Sequence, residues 1–252
     1  MDKTAIIICN YNMPERTDAL CEHILSTVNE PYDLIVVDNG SDLVEPSKHT
    51  TLVIPENKQT GGGFWEGIEY ADSLGKYKYY WLMITSAEFY SNDLRDPLKP
   101  LIEVLDSDDL AFCVQPSIKF VSNEAWSRWL EPRKRPLPRR VWGVDYISTL
   151  FRAEYFHNIG GFRKELPMMW GAIGECNYKA RKAGYHLYVH DGYTMRKITN
   201  IGYTMERMNM SSTDRKNLAT KQADGVLIPI YGKNYRDKFR YDCIERGIDG
   251  DY

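Results

Sequence analysis

The sequence lacks any long apolar run. No stretch approaches the roughly 20 apolar residues that cross a bilayer, and the short run in MDKTAIIICNYN falls below a secretory signal peptide. It also lacks paired cysteines. Cys9, Cys21, Cys113, Cys176 and Cys243 are dispersed and no C-x-x-C occurs, so neither a zinc knuckle nor a disulfide framework is expected. A reducing, cytoplasmic setting follows, with a peripheral place at a membrane as the variant. A charge excess is missing too: 32 basic against 35 acidic residues leave a net −3, and no global field draws the chain to nucleic acid or anionic lipid. There is no internal repeat.

What is present is a core. An apolar fraction of 43% over 252 residues suits one large domain or two small ones. Thr4–Cys9 reads as a buried strand, Glu15–Val28 as a helix with Leu20, Ile24 and Val28 four apart, and Asp33–Val37 as a second strand. Thr51–Ile54 is a short third strand. Gly61-Gly62-Gly63 opens a helix to about Leu74, and Tyr79–Ile84 is a fourth strand. A helix near Pro100–Leu105 and a strand near Leu110–Val114 follow. Strands this apolar, alternating with helices, predict a mostly parallel sheet covered on both faces. Ligands of such sheets sit at the carboxyl ends of the strands. Here those ends are Asn10-Tyr11-Asn12, Asp38-Asn39, Asn57 and Thr85–Glu88.

Residues 116–142 change character. Prolines and tryptophans surround the run EPRKRPLPRRVW, whose five cations are Arg133, Lys134, Arg135, Arg139 and Arg140. A solvated surface excursion is the plain reading; an anionic acceptor surface, nucleic acid included, is the sharper one. Val144–Phe151 returns as a strand, Glu154–Ile159 is a short helix, Glu175–Ala183 is a helix closed by Gly184, and Tyr185–Val189 is a strand. From about Thr204 the chain turns polar, with one helix expected around Asn234–Arg246.

The segments ICNYN, LIVVDNGSD, ENKQTGGGFWEGIEYA, VDYISTLFRAEYFHNIGGF and GECNYKARKAGYHLYV, in this order, resemble family 2 glycosyltransferases of the GT-A fold. The resemblance spans roughly residues 4–200. It implies a GT-A domain over 1–204 with residues 205–252 as a packed extension. It implies sugar transfer, with inversion, from a nucleotide-diphosphate sugar (UDP-sugar favoured) to a hydroxyl of a glycan, a glycolipid or a modified nucleic acid. Asp38 matches the acceptor for a base N–H, Asn10 and Tyr11 the strand end along base and ribose, and Asn57 a position near the base. Gly61, Gly62 and Gly63 match a close approach to ribose or diphosphate at a helix N-terminus. The plain alternatives are a turn at Asp38 and a flexible helix start at the glycines. Trp65 either stacks on a ligand or packs.

The chain departs from the family at three places. A D-x-D motif that holds Mn2+ or Mg2+ is replaced by Thr85-Ser86-Ala87-Glu88, leaving Glu88 as the one acid. A metal-binding His is replaced near Arg196 and Lys197, whose fixed charges could serve the diphosphate instead. Of the usual acidic pair, one falls on Ile173, so Glu175 is the expected catalytic base, with helix capping as its alternative role. Trp142 and Asp145 are expected on the acceptor side. Three weakened positions also fit a catalytically silent module that binds a nucleotide-sugar or a partner.

Overall fold

The structure is a computed structural model that describes residues 2–90, 92–120, 128–198 and 210–242. Strand β1 (Thr4–Asn10) is buried at every residue, as its run of β-branched side chains requires. Helix α1 (Pro14–Thr27) starts at a proline, whose missing N–H costs nothing in a first turn. Next come β2 (Tyr32–Asn39), β3 (Leu52–Ile54), α2 (Gln59–Leu74), β4 (Tyr79–Ile84) and the two-residue β5 (Ala87–Glu88). The chain continues through α3 (Lys99–Ser107), β6 (Ala111–Phe120), a 3-10 turn at Arg128–Leu130, β7 (Pro138–Val141) and β8 (Ser148–Arg152). It closes with α4 (Ala153–Asn158), α5 (Ala172–Lys182), β9 (His186–Lys197), α6 (Ser212–Tyr231) and α7 (Tyr235–Tyr241).

Among the described residues one nine-stranded sheet runs β3-β2-β1-β4-β8-β6-β9-β5, with β7 beside β9. Its first four strands are parallel. Beyond β4 only β6 and β9 are parallel, and β8, β5 and β7 join antiparallel. In register, Asn10 faces Asp38 and Cys9 faces Ile84, so β1, β2 and β4 end at one level. The β4–β8 pairing then brings the start of β8 to that same level, with the Ile84 N–H donating to the Ile147 carbonyl at 3.1 Å.

Several elements differ from the sequence reading, among them the strand expected at Val144–Phe151, which forms only over Ser148–Arg152. The strand expected at Leu110–Val114 runs on to Phe120, through Pro116 at a register shift, where a missing N–H is tolerated. The strand expected at Tyr185–Val189 runs to Lys197, alternating buried and part-exposed residues. The basic excursion contains edge strand β7; Trp126 lies outside the described residues. The polar tail holds the 20-residue α6, and the last helix spans Tyr235–Tyr241. Both C-terminal helices pack on α5: α6 through the Tyr178–Tyr231 ring pair (5.9 Å), and α7 through the Tyr178–Phe239 pair (5.2 Å) and through Arg181, which donates to the Phe239 carbonyl. No helix among the described residues is long and apolar enough to cross a membrane.

Two glycines separate packing from propensity. A Cβ on Gly67 of α2 would lie 2.4 Å from Ile7 Cγ2, whereas one on Gly225 of α6 would meet nothing within 4 Å. Alanine at either site gains about 1 kcal/mol of helix propensity, but overpacking a full core costs about 1–3 kcal/mol. Urea denaturation should show Gly225→Ala stabilised by about 0.5–1 kcal/mol and Gly67→Ala destabilised by about 1–2 kcal/mol.

Candidate functional site

The polar groups at the ends of β1 and β2 are largely bonded to one another. Asn10 donates to Asp38 Oδ2 (3.0 Å) and accepts from the Met13 N–H (3.1 Å) and the Thr17 hydroxyl (3.0 Å), tying β1 to the start of α1. Asp38, 1% exposed, also takes the Ser41 N–H (2.9 Å) and hydroxyl (2.7 Å). A carboxylate offers about four lone-pair sites, so one is left over. Asn57 accepts from Asn39 (3.2 Å) and from the Gln59 N–H (2.7 Å), which folds the turn into α2. Tyr11 is the half-buried aromatic at this edge.

The three glycines lie within the first turn of α2, two residues later than its start. Their small size serves packing. A Cβ on Gly61 would meet Met169 Sδ at 2.8 Å, and one on Gly63 would meet Cys9 Sγ at 2.4 Å. The Gly61 N–H is spent on the Pro167 carbonyl (2.8 Å). Trp65 packs as well: its indole N–H donates to the Phe162 carbonyl (3.1 Å), and its ring lies against Phe156 and Phe162.

The cations expected beyond β4 do meet the altered motif. β5 pairs with the end of β9, setting Ala87 opposite Lys197 and Glu88 opposite Arg196. Lys197 Nζ donates to Ser86 Oγ at 2.9 Å, and Arg196 forms an ion pair with Glu88. Arg16 approaches Glu88 from α1 at 3.7 Å. Burial lowers the Lys197 pKa, Asp145 opposes that, and Arg215 adds to it by like charge. Arg215, at the start of α6, is a third cation that the sequence reading missed. Its signal was Ser211-x-x-Asp214, a helix start in which the Asp214 N–H donates to the Ser211 hydroxyl (3.1 Å).

Asp145 enters this cluster from the chain leading into β8. It is 8% exposed, and burial pushes its carboxyl up to about 6 against the pull of Lys197. Glu175 has a different setting. It is fully buried on α5, and its Oε1 accepts from Arg163 Nε (2.7 Å) and the Tyr231 hydroxyl (2.7 Å). With α6 seated this way, no acceptor hydroxyl reaches it. Trp142 is packed between Trp129 (4.6 Å) and the guanidinium of Arg240 (5.8 Å). Within the basic run, Arg139 is an internal strut, bonded to Asp191 at 2.7 Å and to the Trp129 carbonyl at 2.6 Å.

These residues do not fit a divalent ion. Ser86 is a neutral hydroxyl already holding an ammonium, Glu88 is engaged by arginines, and no group of three His, Cys, Asp or Glu side chains among the described residues could hold a metal. A cleft of about 640 Å³ opens between α1 and the β4–β5 turn, lined by Arg16, His23, Thr85, Glu88 and Phe89.

The raised pKa of Asp145 has a consequence for stability. Between about pH 4, where an unfolded Asp titrates, and about pH 6, the folded chain holds a proton that the unfolded chain has released. Stability from this group is therefore greatest below the window and is lost as pH rises through it. Asp145→Asn removes the effect. Chemical denaturation should find the variant gaining on wild type from pH 4 to pH 7, by up to about 3 kcal/mol; a pH-independent difference would contradict a desolvated carboxyl.

No family model and no curated protein matches the sequence. Solved structures do match. GalNAc-T7 with UDP, GalNAc and Mn2+ superposes with a TM-score of 0.64 at 14% identity, over 95% of this chain and 50% of that one. The mannosyltransferase PcManGT from Pyrobaculum calidifontis, in complex with GDP-Man and Mn2+, gives 0.58 at 16% identity, over 90% and 64%. The chain thus spans about half to two thirds of the length of these neighbours. Together with the sheet order and the strand-end cluster, the matches identify the architecture as a GT-A, glycosyltransferase-like fold.

Proposed function

We propose that the chain transfers a sugar from a nucleotide-diphosphate donor to an acceptor hydroxyl, with inversion, using fixed cations where GT-A relatives use a divalent metal. The observation that carries this reading is the 2.9 Å bond from Lys197 to Ser86 at the end of β4. A donor diphosphate brings about two negative charges, and more charge gathers on it as the glycosidic bond breaks. Lys197 can turn its ammonium to that charge because its hydrogen-bond partner, the Ser86 hydroxyl, brings no negative charge to offset it. Arg196 exchanges Glu88 for phosphate oxygens, which its planar fork grips in pairs. Arg215 adds a third charge from α6.

On this reading the nucleotide lies over the ends of β1 and β2. Tyr11 flanks the base and ribose, Asn57 borders the base, and the remaining lone pair of Asp38 takes a ring N–H, which favours uracil. Gly62 and its neighbours keep the α2 edge low beside the diphosphate. The exposed Lys134 and Arg135 favour an anionic glycan, glycolipid or nucleic acid on the acceptor side. Glu175 acts as base only if α6 withdraws Tyr231.

A second reading, a binding module without turnover, is favoured by that seal over Glu175. Donor hydrolysis separates the two, since only the enzyme releases nucleotide. For the first reading, thermal shift against UDP-, GDP- and dTDP-sugars should find a binder, and activity should survive EDTA. Lys197→Ala should lower turnover by about 10²-fold or more, the scale of losing one preorganised donor to developing charge, with a smaller loss of donor affinity. Strict manganese dependence would overturn it.

A further inference from the structure

Two exposed loops, far apart in the chain, meet on β9. Where β6 passes from Pro116 to Ser117, the ladder skips Asp191, Gly192 and Tyr193, so β9 bulges there. The first loop, residues 131–137, is exposed at every position and carries Lys134 and Arg135. It ends at Leu137, which is 61% exposed and stands between Pro136 and Pro138. The second loop, residues 92–96, carries Arg95 and Leu94, at 77% the most exposed large apolar side chain among the described residues. Both loops are fastened at the bulge. The Asp191 N–H donates to the Leu137 carbonyl (3.4 Å), a Cβ on Gly192 would lie 2.8 Å from the Pro136 carbonyl oxygen, and Arg95 Nη1 donates to the Gly192 carbonyl (3.1 Å).

The basic loop is closed on itself. From its far end Arg139 donates to the Trp129 (2.6 Å) and Glu131 (3.3 Å) carbonyls at its near end, and to buried Asp191 (2.7 Å). Pro132, Pro136 and Pro138 restrict the backbone between. A tip ordered in advance gives up little freedom when it docks. Arg95 is offset by Asp93 (2.6 Å), so the pull on an anion rests on Lys134 and Arg135. The mixture of groups selects the partner. A nucleic-acid strand meets the cations but gains nothing from leucine, and it binds by stacking on aromatic rings; Trp129 and Trp142 spend theirs on each other (4.6 Å). An acidic protein would need pockets shaped to two separate leucine tips. The headgroup layer of an anionic bilayer offers negative charge outside and acyl chains just beneath, and being fluid it takes both leucines where they stand.

We propose that residues 92–96 and 131–137 together form a docking surface for an anionic lipid bilayer, with Leu94 and Leu137 entering the headgroup layer and Lys134 and Arg135 meeting its charge. The surface needs no nucleotide and stands without the donor reading above. Attachment is reversible: each cation contributes about fivefold in partition and each leucine about tenfold or more. Gly192 and Lys197 lie on the same strand, about 17 Å apart along it. On the donor reading, that distance makes the acceptor a hydroxyl carried by a lipid head group.

The test is co-sedimentation of the full chain with vesicles of phosphatidylcholine alone and of phosphatidylcholine mixed with phosphatidylserine, without nucleotide, at low and at physiological salt. Wild type should pellet with the anionic vesicles, more weakly as salt rises, and not with the neutral ones. Lys134→Glu with Arg135→Glu should lower the partition at least about 25-fold, fivefold for each cation. Leu94→Ser with Leu137→Ser should lower it about tenfold or more. All four side chains are exposed, so thermal melting should confirm that both variants stay folded. A wild type that ignores anionic vesicles, or binds neutral ones equally well, would overturn the proposal and leave the donor reading untouched. A leucine variant that binds like wild type would overturn it too, since no side chain would then enter the bilayer. So would tighter binding to a single-stranded oligonucleotide than to vesicles, lost in the charge variant and kept in the leucine variant, which would assign the basic loop to nucleic acid.

Discussion

The site depends first on the pairing of β1. That strand is buried at every position and bonded in parallel on both sides, to β2 and to β4. Parallel pairing in register makes three strands end together, and the polar residues that follow are then forced into one edge. Asn10 meets Asp38 and holds the first turn of α1 because it stands opposite it in the ladder. Adding β8 antiparallel to β4 brings a chain segment from far along the sequence, with Asp145, to the same level. A one-residue slip of β1 would invert its faces and separate these groups.

That arrangement also explains which parts could be read from the sequence. The parallel half was legible because β1, β2 and β4 are short, mostly apolar runs bounded by turn residues. β9 was half missed. Past Val189 it alternates part-exposed His190, Gly192 and Thr194 with buried Asp191, Tyr193 and Met195, and its pairing with β6, β7 and β5 supplies what composition does not. α6 was missed for a related reason: its surface is polar, and only Ala219, Ala223 and Leu227 are buried. Such a narrow stripe is stabilised by what it covers on α5 more than by its own pattern.

The candidate site divides in the same way. Ser86, Arg196 and Lys197 could be singled out because they stand where carboxylates and a histidine would be expected, and the pairing of β5 with β9 brings them together. Gly61 and Gly63 carried an ambiguous signal. A glycine needed for a ligand and one needed for a close neighbour look alike in a sequence, and only the Met169 and Cys9 distances show the packing use. Gln115, which ties β6 to the chain entering β8, gave no signal, since a lone glutamine inside an apolar strand shows its bonds to the Asp145 N–H and the Thr149 hydroxyl only once the strands are paired.

The serine at position 86 and the lysine at 197 make sense as a pair. An aspartate at 86, about 3 Å from the ammonium, would hold it more tightly but would also cancel its charge toward a phosphate. A hydroxyl fixes the same geometry and leaves the charge in place. Asp145, acting through space with no hydrogen bond to Lys197, is placed to offset part of the cost of an ammonium that is half buried and near Arg215. The carboxylate and the cation that a metal-dependent site would join through an ion are here held apart, and on the donor reading proposed above Lys197 keeps its charge for phosphate. On that logic Ser86→Asp alone should weaken diphosphate binding rather than restore a metal site, because the new carboxylate would take Lys197 first. Titration of the free diphosphate with and without manganese would check this; tighter binding only in the presence of manganese would show that the ion can displace the ammonium after all.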